Sequence, residues 1–319
     1  MKKSTKLLLG IGAAIATPVV INHVIAKKAA ARIEQTNEAN MLDGIEERHV
    51  YEWDYGDIRY IKRGEGKPLL LLHGIYPGAC GLEWDTVIDF FADDYEVYVP
   101  DLLGFGYSSK PALDYCGYLF VRLIKDFAEN VIGQPVTAVA SLHTAAALAS
   151  CASLNPEDFE KIVLVSPTGL ELQTPLASDE DGIAKKLLES PVLGTSFYNV
   201  LCSKKGLEEF YVREGLVDTD FYDEHYMDKI HLGAHAEGAN GKYALAALFG
   251  KFFNTDIKDT LASLEVPYGI IVGDAQPAES GFRIYNGMED GRDVQVMEYS
   301  CLLPHTESGQ QFYDVFKKI

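Results

Sequence analysis

The chain has 319 residues, of which 47% are hydrophobic, and a formal net charge of -19. So acidic a protein is excluded as a nucleic-acid binder, because phosphates need Lys and Arg to neutralise them. Its five cysteines, Cys80, Cys116, Cys151, Cys202 and Cys301, are odd in number and form no CxxC pair, which argues for buried thiols and against a disulfide framework or a zinc site.

The first apolar run is Leu7–Ala26, with Lys2, Lys3 and Lys6 before it and Lys27, Lys28 and Arg32 after it. It has the length of a bilayer-crossing helix, weakened by Pro18, Asn22 and His23. Residues 1–26 are therefore expected to be a membrane anchor, with a cleaved signal peptide and a soluble helix as the alternatives. Basic residues at both ends leave the side of the membrane undetermined. Residues 27–46 read as a polar helical stalk.

Val50–Asp54 and Ile58–Arg63 alternate around Tyr55-Gly56-Asp57, the signature of a hairpin. Pro68–Leu72 is a continuous apolar run, as a strand buried on both faces requires, and Glu96–Pro100 reads as another buried strand. Helices are expected at Trp84–Phe91 and Tyr118–Asn130. Val136–Ala149 (VTAVASLHTAAALA) reads as a strand, a tight turn and an Ala-rich helix, and Ile162–Ser166 as the next strand. From 172 to 261 the sequence carries only helical stretches: Ile183–Glu189, Ser196–Cys202, Lys205–Glu214, Asp220–Ile230 and Gly241–Phe253. Strands return at Tyr268–Val272 and Val294–Tyr299, and Gln310–Lys318 closes the chain as a helix. Strands alternating with helices predict a parallel, doubly wound α/β sheet.

Five motifs stand in order along this pattern. They are Leu70-Leu71-Leu72-His73-Gly74, the loop Pro100-Asp101-Leu102-Leu103-Gly104-Phe105-Gly106-Tyr107-Ser108, the strand end Leu164-Val165-Ser166-Pro167, Val272-Gly273, and Pro304-His305-Thr306-Glu307. Together they resemble the α/β-hydrolase fold family over about residues 50–319. The resemblance implies a mostly parallel central sheet of about eight strands flanked by helices. Residues 47–171 and 262–319 would form this core, and the helical insertion 172–261 would be its lid.

In that family a strand-to-helix corner of pattern GxSxG holds a nucleophile that a histidine and an acid activate. In the ungapped register Ala140 and Thr144 replace the two glycines and Leu142 takes the nucleophile position. Gln276 takes the acid position and Leu302 the base position. None of the three can run a proton relay. Without a nucleophile, the corner is expected to relax from its strained backbone. A slipped register offers Ser141 as nucleophile, His305 as base and Asp274 as acid, and His143 with Asp101 is another arrangement of reactive types.

The resemblance further implies an oxyanion hole from the backbone N–H groups of Ile75 and His143, independent of side chains. Gly74, Ile75, Tyr76, His143 and Asp101 are the candidate pocket residues. His231 and His235 stand at i, i+4 but lack an HExxH glutamate and are interrupted by Gly233, so neither a metal nor another cofactor is expected. The reading is a membrane-anchored, ligand-binding member that takes a small apolar or ester-like molecule. The alternatives are an active ester or acyl hydrolase and a structural protein-interaction domain.

Overall fold

A computed structural model describes residues 20–24, 27, 28, 48–170, 174–217, 224–275 and 293–319. Apart from 20–24, 27 and 28, which are helical, the expected anchor and stalk lie outside the described residues, as does Gln276.

The hairpin forms as its alternation requires. β1 (Arg48–Trp53) pairs antiparallel with β2 (Gly56–Arg63) in the register Trp53↔Gly56 to Arg48↔Ile61. Gly56, at φ +140, turns the chain where an added Cβ would meet Ser109 at 2.7 Å. β3 (Lys67–Leu72), β4 (Tyr95–Pro100), β5 (Val136–Ser141), β6 (Phe159–Val165), β7 (Tyr268–Gly273) and β8 (Asp293–Met297) complete one eight-stranded sheet of order β1-β2-β4-β3-β5-β6-β7-β8. The two joins that involve β2 are antiparallel and the rest are parallel. The fold is the α/β-hydrolase architecture.

The apolar strand runs are explained by burial on both faces. Leu70, Leu72, Ala138, Ala140, Ile162 and Leu164 face one core. There they meet α2 (Gly117–Phe127) and the Ala-rich α3 (Leu142–Leu154). Ala145, Ala146 and Ala149 are fully buried, and their small side chains let α3 approach the sheet closely. Leu69, Leu71, Val97, Val139, Val163 and Ile271 face the other core, against Trp84, α1 (Ile88–Ala92) and a C-terminal helix at Gly309–Phe316.

Between β6 and β7 the described residues hold six α-helices, one π-helical turn (Tyr211–Gly215) and no strand: α4 (Asp179–Leu188), α5 (Leu193–Leu201), α6 (Lys204–Phe210), α7 (Glu224–Ala234), α8 (Lys242–Phe249) and α9 (Lys258–Ala262). α4 begins four residues before the expected Ile183. Ser178 and Asp181 form a reciprocal capping box there, a polar start signal that apolar periodicity does not register. The expected helix at Trp84–Phe91 is instead a 3-10 turn, Gly81–Trp84, followed by α1. After β8 come α10 (Pro304–Glu307) and α11 (Gly309–Phe316).

Candidate functional site

The C-terminal ends of β3, β5 and β6 meet the helical insertion around a cavity of about 510 Å³. Ile75, Tyr76, Leu142, His143 and Leu302 form its floor together with Ser166, Pro167 and Thr168, while Leu201, Phe210, Leu248 and Phe249 roof it. The wall is mainly apolar; among the described residues Glu209, an exposed side chain of α6, is the one carboxylate on it. Of the pocket residues expected from sequence, Ile75, Tyr76 and His143 line this space, whereas Gly74 and Asp101 do not.

The β5–α3 corner keeps the strained backbone. Leu142 has φ +52, a left-handed conformation costing a non-glycine residue about 1–2 kcal/mol. The expected relaxation does not occur, because neighbours fix the corner from several sides. Ser141 is held in the β5–β6 ladder opposite Val165. The Leu142 carbonyl accepts from Thr168 N–H at 3.4 Å. Thr144 is fully buried and donates through Oγ1 to the His73 carbonyl at 2.8 Å. A Cβ added to Gly74 would fall 3.0 Å from Leu142 Cδ1 and 2.9 Å from Ser141 Oγ, so the β3 loop crosses the corner closely.

Ser141 turns away from the cavity. Its side chain has zero exposure, and Oγ donates to Glu83 Oε1 at 2.5 Å. His305, equally buried, places Nε2 2.8 Å from the same oxygen, with its ring stacked on Trp84 at 4.0 Å. Glu83 Oε2 accepts from Gly74 N–H and from Tyr76 Oη, both at 2.8 Å. Thr306 Oγ1 donates to the Glu83 carbonyl at 3.0 Å. Burial pushes the Glu83 carboxyl up, but His305, His73 and the Ser141 hydroxyl pull it down more strongly, leaving it below its ordinary value. It is a buried, ionised carboxylate satisfied by four donors.

The structure thus brings Ser141 and His305 to a shared carboxylate without bringing them to each other. The hydrogen-bond order is hydroxyl, carboxylate, imidazole. Asp274 is elsewhere. It is exposed at the end of β7, and its Oδ1 accepts from Ser300 N–H at 3.3 Å.

Asp101 is structural in its contacts. It pairs with Arg48 at 2.5 Å and accepts from Gly81 and Tyr107 N–H groups at 2.7 and 2.8 Å. Burial raises its carboxyl, but Arg48, His73 and these amides lower it further. Its contacts include none to His143, whose Nε2 lies 3.2 Å from Asn254 Oδ1. The rings of His231 and His235 lie tilted at 51° with centroids 4.5 Å apart, and their Nδ1 atoms meet the Cys202 and His231 carbonyls. Neither lines the cavity, and among the described residues no group of three metal-ligating side chains occurs.

Sequence reasoning missed Glu83. It lies 58 residues from Ser141 and 222 from His305, so no local spacing joins them. The only trace is a glutamate beside a tryptophan, in a stretch that also carries Asp85, Thr86 and Asp89.

The sequence profile described as "Alpha/beta hydrolase family" matches residues 69–309. Among curated relatives, the 2-hydroxy-6-oxo-6-(2'-aminophenyl)hexa-2,4-dienoic acid hydrolase of Metapseudomonas resinovorans is 32% identical over 123 residues, 37% of this chain. That match spans 41% of the relative's own length. A putative non-heme chloroperoxidase of Synechocystis sp. is 27% identical over 237 residues, 70% of this chain and 80% of the relative. The crystal structure of a membrane phospholipase A, described as a novel bacterial virulence factor, superposes with a TM-score of 0.65 at 20% identity, over 98% of this chain and 97% of that one. At that identity the likeness concerns the fold.

Proposed function

We propose that this chain, which belongs to the alpha/beta hydrolase family, is a membrane-attached member that binds a small apolar ligand and does not run Ser-His-acid chemistry. In this reading Leu142, Gln276 and Leu302 occupy the nucleophile, acid and base positions, and residues 172–261 serve as the lid over the cavity. The observation that carries it is the corner itself. Leu142 holds the backbone conformation of a nucleophile elbow, at φ +52, and faces the cavity with Leu302. The nearest hydroxyl in sequence, Ser141, is sealed behind it on Glu83.

A leucine has no lone pair to attack a carbonyl and no proton to give. The cavity has the size and apolar wall of a small-molecule site. The curated relatives include hydrolases by name, such as that of Metapseudomonas resinovorans, and in this reading the departure lies in the residues at the corner and not in the scaffold. Membrane attachment rests on the apolar run Leu7–Ala26 and its basic flanks. Among the described residues no helix is long and apolar enough to cross a membrane.

The test is direct. Full-length protein is incubated with a fluorophosphonate probe and with p-nitrophenyl acyl esters, and binding of a fluorescent acyl probe is titrated in parallel. The expected result is saturable binding with no covalent label and no ester turnover above buffer. Labelling that vanishes in Ser141→Ala overturns the reading in favour of an active ester hydrolase. Absence of any saturable binding overturns it in favour of an interaction domain.

A further inference from the structure

The outer face of α5 is apolar and open. Leu193, Phe197 and Val200 recur at i, i+4 and i+7 on one side of this helix and are 60%, 42% and 71% exposed. Water-facing aromatic and aliphatic side chains at that spacing have no folding role to explain them, and a face of this kind marks an interaction surface.

Two contacts say what covers it. The first joins this face to the N-terminal segment. Asn22 Nδ2 donates to Ser196 Oγ at 3.3 Å, and Asn199 Nδ2 donates to Asn22 Oδ1 at 3.0 Å. This polar clasp sets the helical residues 20–24 beside α5 and leaves Val20, Ile21 and Val24 60%, 51% and 45% exposed. These three belong to the apolar run Leu7–Ala26, so the exposed face of α5 continues onto the chain's most membrane-compatible stretch. The second contact joins the face to the cavity. Phe197 packs edge-on against Phe249 with ring centroids 5.6 Å apart, and Phe249, itself 43% exposed, lines the cavity wall. Leu201, at the end of α5, lines it as well.

We infer that this face of α5, together with Val20, Ile21 and Val24, is a docking surface for a lipid bilayer, on which the insertion rests with the Phe249 side of the cavity towards the acyl phase. The inference rests on the membrane attachment proposed above and adds to it an orientation and a ligand class. The anchor brings the domain to the bilayer, the Asn22 clasp fixes α5 against it, and the cavity takes apolar molecules dissolved in the membrane.

The experiment reports the surroundings of α5 in the full-length chain. The two native tryptophans, Trp53 and Trp84, are buried at 6% and 0% exposure and give a constant background. A third is introduced as Phe197→Trp, or as Val200→Trp should the first variant fail to fold. Leu154→Trp is the control. Leu154 is 67% exposed at the C-terminal end of α3, the end opposite the cavity-lining Leu142 and His143. Each variant is reconstituted with phosphatidylcholine vesicles containing acyl-brominated phosphatidylcholine, floated on a density gradient, and titrated with acrylamide. The expected result is co-flotation, with severalfold stronger quenching by brominated lipid at position 197 or 200 than at 154. Co-flotation with residue 197 quenched by acrylamide alone overturns the docking surface and leaves the anchor standing. Shielding from both quenchers overturns it in favour of a protein surface, such as a second copy of the chain. Failure to float overturns the attachment and the docking surface together, without touching the ester-hydrolysis result.

Discussion

The corner at the end of β5 has two sides that differ in kind. Behind it, Ser141, His305, Tyr76 and the Gly74 amide converge on Glu83 in a sealed polar knot. In front of it, Leu142 and Leu302 face a cavity lined mostly by carbon. Ser141 and His305 lie where no solvent reaches them, while Leu142 and Leu302 line the cavity beside His143. Four donors meet the one buried carboxylate, although His305 Nδ1 has no hydrogen-bond partner among the described residues, and such a knot fixes geometry. The difference teaches that the corner's shape is maintained by its buried side, independently of what its open side does.

The largest effect should come from cutting the knot. Glu83→Leu leaves four donors without an acceptor, His305 among them, and is expected to lower unfolding stability by about 3–5 kcal/mol, measured by urea titration. Survival with a loss under about 1 kcal/mol would show that the knot does not hold the corner. Its pH dependence has a definite sign. The folded carboxyl titrates below its ordinary value, so its contribution is complete above the unfolded value of about 4.3. It is lost as pH falls through the lower folded value. Glu83→Gln is expected to flatten that acid limb of the stability curve.

Next is Ser141→Ala, which removes one hydrogen bond to a buried charge. A cost of about 2 kcal/mol with no change in ester hydrolysis or probe labelling is expected. A change in either activity would move Ser141 from the sealed side to the open side. On the open side, Leu302→Trp puts an indole into the cavity and should weaken binding of an acyl probe about tenfold, near 1.4 kcal/mol, with unfolding stability little altered. Unchanged affinity would place the ligand elsewhere.

The smallest effect tests the strain directly. At 142 glycine should be more stable than alanine by about 1 kcal/mol, the reverse of their order in a helix interior. Alanine keeps the left-handed penalty that glycine escapes. The usual order would mean that the corner relaxes once the leucine is cut back.

A separate acid-sensitive site lies in the insertion. Burial, with the charge of His231 adding to it, pushes the His235 imidazole down to about 4. Between pH 6.5 and about 4 the unfolded chain therefore takes a proton that the folded one refuses, and stability falls across that window, by about 3 kcal/mol at the limit. Denaturation curves of His235→Asn over the same range should lack this slope.

Much of this was legible in the chain. The continuous apolar run at 68–72 told of a strand covered on both faces, and the β-branched start of 136–149 of a strand entering an Ala-rich helix. The motif order placed the corner at Leu142, and the positive φ falls on that residue. The helical character of 172–261 followed from the absence of any strand-like run. Capping at Ser178 and the split of the expected helix at Trp84 were not read, since periodicity weighs apolar residues and overlooks polar start signals.

Residue order by itself therefore determined the layer architecture and which side chains stand at the corner, since both depend on patterns within a few turns or strands. Only the tertiary structure decided that the corner stays strained, that Ser141 faces Glu83, and that Asn22 reaches α5. Each of these rests on partners far apart in the chain, 58 residues for Ser141 and Glu83 and 174 for Asn22 and Ser196. No local propensity encodes a contact at such separations. They are fixed when the sheet closes and desolvated polar groups must find each other.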